Sequence, residues 1–246
     1  MSGKPPIDRI VRQLVLIFAF CAGLAWAAPA RAGSEDEPAP RLFGSIEFRA
    51  ASLAALPQWV NVLERIEKER AAYAACDRDI RECEFPALAA WRAKIRAVKG
   101  LDQKTQLIEI NRFINRWPYR EDQANYGVAD YWASPMEFLK LSGDCEDYVI
   151  TKYVTLRTLG YSADSLRVVV VQDTLRNVAH AVLAVYIGRD VLIMDSLFDG
   201  VLTQDRLNFY VPQYSINETT RWAHIIPRAS VMNSAPGAIP NEPIRQ

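Results

Sequence analysis

Gly143-Asp144-Cys145-Glu146-Asp147-Tyr148 decides how the rest of this chain is read. From Asp144 to Leu159 the positions Cys145, Tyr148, Val149, Lys152, Tyr153 and Leu156 fall on one helical stripe, and Gly160 follows as a C-terminal stop. The spacing therefore predicts a helix whose first turn carries a cysteine. Unsatisfied amide groups and the positive end of the helix dipole at that end favour the thiolate over the thiol.

Beyond Gly160 the pattern changes to strands. Ser165 to Gln172 contains four consecutive valines, Ala179 to Ile187 is apolar apart from His180, and Val191 to Asp195 follows Gly188-Arg189-Asp190. Segments near Phe209 to Tyr214 and Arg221 to Ile226 add further strand candidates. A cysteine, a histidine and an aspartate in this order, on helix, strand and strand, are the parts of an activated thiol with its base and orienting group.

Strand register makes that grouping testable. If Gly188-Arg189 is a two-residue hairpin turn, Ile187 faces Asp190 and Val182 faces Asp195, so His180 and Asp195 share a sheet face on a diagonal. A three-residue loop sends them to opposite faces. Taken singly, a histidine in an apolar strand is usually a satisfied core group and an aspartate at a strand end a turn former. It is the combination that points to chemistry. His224, the only other histidine, has no comparable carboxylate spacing and reads as structural.

Ahead of Gly143 the chain is helical. Apolar residues recur at helical spacing in Leu56–Tyr73, in Pro86–Val98 ending at Gly100, and in Asp102–Arg116 before Pro118. Between Trp117 and Ser142 lies a turn-rich stretch with Trp117, Tyr119, Tyr126, Tyr131, Trp132 and Phe138. Aromatics there either wall a cleft beside the cysteine or pack into the helical core. The expected fold class is α+β, with a helical first half packed on an antiparallel sheet.

Residues 1–32 read as a secretory signal peptide: Lys4, Arg9 and Arg12 precede an apolar run from Leu14 to Ala28, and Ala25-Trp26-Ala27 or Ala30-Arg31-Ala32 offers the cleavage site. That run is shorter than the roughly 20 residues of a spanning helix; an uncleaved amino-terminal anchor is the alternative. Phe20 before Cys21 argues against acylation. Removal of 1–32 lowers Lys+Arg from 29 to 25 and Asp+Glu from 29 to 28, a net charge near −3 that gives no reason to expect nucleic acid or an anionic membrane as partner. Residues 33–55 are expected to form a flexible amino terminus, 56–228 the domain, and 229–246 a loose tail. Of the three cysteines left, Cys76 and Cys83 are spaced for a small disulfide loop, the alternative being two buried thiols, and Cys145 remains unpaired.

With Asp130-Tyr131-Trp132-Ala133-Ser134-Pro135-Met136-Glu137-Phe138 upstream, His180-Ala181-Val182-Leu183 and Met194-Asp195 downstream, the Gly-Asp-Cys-Glu-Asp-Tyr segment resembles the bacterial transglutaminase-like cysteine proteinases of the LapG type. The likeness covers roughly Trp59 to Ile226. It implies a papain-like, transglutaminase-like core and a periplasmic endopeptidase that cuts beside paired alanines near the amino terminus of a large biofilm adhesin. Carried over, Cys145 is the nucleophile, His180 the general base and then acid, and Asp195 the group that fixes the imidazole. The resemblance also implies Ca2+ at Asp144, Glu146 and Asp147, with Asp130 joining from the preceding loop, and a LapD-like inner-membrane receptor that senses cyclic di-GMP on its cytoplasmic side. Competing readings are a transglutaminase-type acyl transferase and a non-enzymatic calcium-binding partner of a membrane receptor. Capping of the Cys145 helix is the structural use of the same carboxylates.

Overall fold

The computed structural model describes residues 40–227. The signal peptide expected at 1–32, the segment 33–39 and the tail 229–246 lie outside the described residues. The described chain is α+β, as expected: helices α1 (Pro57–Arg78), α2 (Pro86–Val98), α3 (Gln103–Ile114), α4 (Asp122–Asn125), α5 (Pro135–Leu141) and α6 (Cys145–Leu159) lie against one sheet. Its strands are β1 (Ile46–Ala50), β2 (Leu166–Asp173), β3 (Val178–Ile187), β4 (Asp190–Met194), β5 (Leu202–Thr203), β6 (Tyr210–Ile216) and β7 (Arg221–Ile225). All pairings are antiparallel, in the order β1-β7-β6-β2-β3-β4-β5.

Strand alternation divides the apolar side chains between two layers. Val168, Ala181, Leu183, Val185 and Met194 join the helices in the main core, around Trp59, Trp91, Phe138 and Tyr153. Val169, Val171, Val182, Ala184, Val191 and Ile193 face the other way and are covered by Leu42, Phe198, Leu207 and Tyr210. Helix α6 lies between the sheet and α2, α3 and α5. Its burial therefore extends beyond a single stripe: Ile150, Thr151, Val154 and Thr155 are enclosed along with Val149 and Tyr153. Thr155 Oγ1 accepts a hydrogen bond from Trp91 Nε1 at 2.8 Å, which fixes α2 against this central helix.

The β3–β4 hairpin has the register that a two-residue turn requires. Ile187 pairs with Asp190 and Leu183 with Met194, and Gly188 takes the left-handed φ of +58° that the turn demands.

Two expectations change. Residues 46–50, placed by the sequence in a flexible lead-in, form the edge strand β1 along β7, and Leu42 is fully buried in the second core. The Ile-Glu-Phe-Arg-Ala segment does alternate, but its apolar members Ile46 and Phe48 are exposed, so pairing rather than burial holds it. The turn-rich stretch after Trp117 contains α4 and α5, and its aromatics divide: Trp132 and Phe138 are buried, whereas Tyr119 is about half exposed, at 51%. Cys76 and Cys83 are joined as a disulfide and Cys145 is a free cysteine. No helix among the described residues is long and apolar enough to cross a membrane.

Candidate active site

His180 and Asp195 meet. His180 Nε2 lies 2.8 Å from Asp195 Oδ1 in a pair almost wholly shielded from water. The aspartate is held on three sides. Leu197 N donates to its Oδ1 at 3.0 Å and Tyr210 Oη to its Oδ2 at 2.7 Å, while Asn115 Nδ2 donates to its main-chain carbonyl at 2.9 Å. Burial pushes the Asp195 carboxyl pKa up, but the charge and hydrogen bond of His180, with the Leu197 and Tyr210 donors, outweigh it and hold the group at about 2. Asp195 is thus a fixed anion that orients the imidazole through Nε2.

Cys145 begins α6 and approaches the same strand. The Ala181 backbone N–H, one residue past His180, points at its sulfur. The hydrogen bond that the thiol donates goes to Glu146 Oε2 at 3.2 Å; a thiol–imidazole bond is not among the hydrogen bonds of the described residues. Burial raises the Cys145 pKa well above that of a free thiol, and the charges of Glu146 and Asp144 raise it further. The structure therefore unites the histidine with the aspartate and brings the cysteine to the adjoining backbone, with its proton turned toward a neighbouring carboxylate.

That carboxylate belongs to a cluster. Asp122, Asp144 and Asp147 place ligand oxygens within 4.8 Å of one another, as do Asp122, Asp130 and Glu146. Asp122 Oδ1 and Asp144 Oδ1 are buried without a hydrogen-bond partner. Burial, then the neighbouring negative charges and the Glu146 hydrogen bond, carry the Asp144 pKa up to about 9, and burial also raises Asp122, Glu146 and Asp147. Asp147 performs the capping expected of it, accepting from Asp144 N at 3.2 Å and from Ala133 N at 2.6 Å. Its carboxylate packs so closely on Gly143 that a Cβ at that position has no space, which explains the glycine. Crowded, desolvated carboxylates with unfilled lone pairs are a donor set for a hard cation, and their number and oxygen chemistry fit calcium.

Sequence reasoning missed Asp122, Tyr210, Asn111 of α3 and its C-cap Asn115. Asn111 Nδ2 binds the carbonyls of Phe198 and Asp199 at 3.0 and 3.1 Å, beside the Asn115 bond to Asp195. The two asparagines lie four apart, Asn111 buried in α3 and Asn115 buried as its C-cap, a signal that polar residues at core positions offer. His224 is structural, as expected: its ring nitrogens engage Ser45 Oγ at 2.7 Å and Ser215 Oγ at 2.8 Å.

A cysteine at the head of a central helix, against an antiparallel sheet bearing a buried His–Asp pair, places the fold in the papain-like, transglutaminase-like class. The chain belongs to the bacterial transglutaminase-like cysteine proteinases (BTLCP), whose profile matches residues 64–230. It is similar to calcium-bound LapG of Legionella pneumophila, 34% identical over 65% of this chain and 86% of that one, with a TM-score of 0.52. EGTA-treated LapG of the same organism matches at 34% identity and TM-score 0.52, over 65% of this chain and 84% of its own. No curated protein matches the chain.

Proposed function

We propose that this protein is a calcium-dependent cysteine endopeptidase in which Cys145 is the nucleophile, His180 the general base and acid, and Asp195 the orienting carboxylate. The observation that carries the reading is the buried His180–Asp195 hydrogen bond of 2.8 Å, at the strand end where the head of α6 delivers the only free thiol among the described residues. With Nε2 bound to Asp195, Nδ1 is the nitrogen that takes the thiol proton. The thiolate adds to the peptide carbonyl, and backbone N–H groups in the first turn of α6 receive the oxyanion. His180 then returns the proton to the departing amine as the C–N bond breaks. It next removes a proton from water, which hydrolyses the thioester and restores the thiol.

Asp122, Asp144, Glu146 and Asp147, with Asp130, are the residues that hold calcium in this reading. Held there, the ion would supply positive charge beside the carboxylates whose own charge raises the thiol pKa. Glu146 joins the two functions, since it belongs to the acidic cluster and accepts the Cys145 hydrogen bond. Kinship with LapG supports a periplasmic setting, a large surface adhesin as substrate with biofilm attachment as the process controlled, and a LapD-like membrane receptor as regulator.

Incubation of the purified chain with the amino-terminal region of a large adhesin from the same genome, with calcium or with EGTA, tests this. Fragment masses should report one cleavage site, lost in Cys145→Ala and in EGTA. A thiol-directed probe should label wild type and fail on His180→Ala; equal labelling of both rules out the proposed base. Asp122→Asn should weaken calcium binding in isothermal titration while raising the melting temperature without calcium, because it removes one of the mutually repelling carboxylates. Unchanged affinity would return Asp122 to a structural role.

A further inference from the structure

Beside the proposed centre lies a cavity of about 310 Å³, lined by Trp117, Pro118, Tyr119, Tyr148, Leu197 and Arg116, together with Asn115 and Ser196. Each wall is tied to a different catalytic segment. Tyr119 bridges to Gly143, and Arg120 N donates to the Gly143 carbonyl at 2.9 Å, so the first wall is anchored two residues before Cys145. Ser196 and Leu197 directly follow Asp195, and Leu197 N holds its carboxylate. Tyr148, one helical turn after Cys145, donates its hydroxyl to the Trp117 carbonyl. Asn115 closes the frame by binding the Asp195 carbonyl at 2.9 Å.

We infer that this cavity is a specificity subsite, which takes an apolar side chain of leucine to phenylalanine size from the peptide substrate within three residues of the scissile bond. The inference rests on the cysteine-peptidase reading above. Position argues for a substrate side chain, because one wall is anchored at Gly143, two residues before Cys145, and the other begins directly after Asp195. Chemistry argues for an apolar one: three aromatic residues, a proline and a leucine line the space. Size agrees, since a closed cavity of about 150 Å³ already accommodates benzene. Tyr119, Pro118 and Arg116 are exposed in the absence of substrate, as an open subsite requires. Arg116 forms no ion pair among the described residues, so an acidic side chain is the competing occupant.

The test is digestion of a peptide library by the purified full chain with calcium, with cleavage positions read by mass spectrometry, for wild type, Tyr119→Ala, Leu197→Ala and Arg116→Ala. Wild type should show one position where Leu, Met or Phe is preferred to Gly by about 10-fold or more in kcat/KM, a typical return for filling an apolar pocket. Tyr119→Ala and Leu197→Ala should each flatten that preference, chiefly through KM, and in Tyr119→Ala a thiol-directed probe should label Cys145 at the wild-type rate. A preference unchanged in both variants overturns the subsite and leaves the peptidase reading standing. An acidic preference abolished by Arg116→Ala overturns the apolar class. Normal probe labelling with no cleavage of any peptide removes the peptidase reading, and the subsite with it.

Discussion

Lys152 offers the sharpest physical test of this fold. It lies on α6, two turns past Cys145, with no exposed surface and with no hydrogen-bond partner for its Nζ. Burial draws its pKa down from 10.5 to about 7, against the opposing pull of Asp195 and Asp199. Through that window the unfolded chain holds a proton that the folded chain has released, so stability rises with pH across it. At about 1.4 kcal/mol per pH unit, the charged lysine costs the fold about 5 kcal/mol at pH 6, about 4 at pH 7 and about 2 at pH 9. Lys152→Met keeps the length of the side chain and removes the charge. Urea unfolding should therefore find the variant more stable than wild type by about 4 kcal/mol at pH 7, with the gap closing to about 2 kcal/mol at pH 9. Other titrations common to both proteins cancel in the difference. A gap that does not change with pH, or a variant less stable throughout, would refute the picture of a buried ammonium without a hydrogen-bond partner.

Three further outcomes follow from named contacts. Tyr210→Phe removes one of the donors that hold Asp195 and should lower kcat/KM by about 10-fold, on the scale of a buried hydrogen bond to a charged group; circular dichroism should show the fold intact. Burial lowers the His224 pKa from 6.5 to about 4, so its neutral form supports the fold above pH 6.5 and the support is lost as pH falls toward 4. With allowance for the partly solvated ring, wild type should lose about 2 kcal/mol over that interval that His224→Gln does not lose. Reduction of the Cys76–Cys83 bond, which closes a loop of sequence separation 7, should lower unfolding free energy by about 2 kcal/mol; no change in a chemical melt with reductant would show that α1 and α2 hold this corner alone.

Local rules determined much of this protein from its sequence. Helical spacing defined α6 and put Cys145 in its first turn, because a helix face is written at a period that one strand of sequence carries. The Gly188-Arg189 turn determined the β3–β4 register, and with it the meeting of His180 and Asp195, because side chains alternate strictly along a strand. Tertiary structure alone decided the rest. Asp122 joins the acidic cluster from α4, 22 residues before Asp144, and Tyr210 reaches Asp195 from β6, two strands beyond β3 in the sheet. Strand β1 exists because β7 offers it an edge, and Lys152 lost its access to water only when the sheet and the other helices closed around α6. Pairings of this kind depend on which surfaces come together when the layers pack, and no short window of sequence records that.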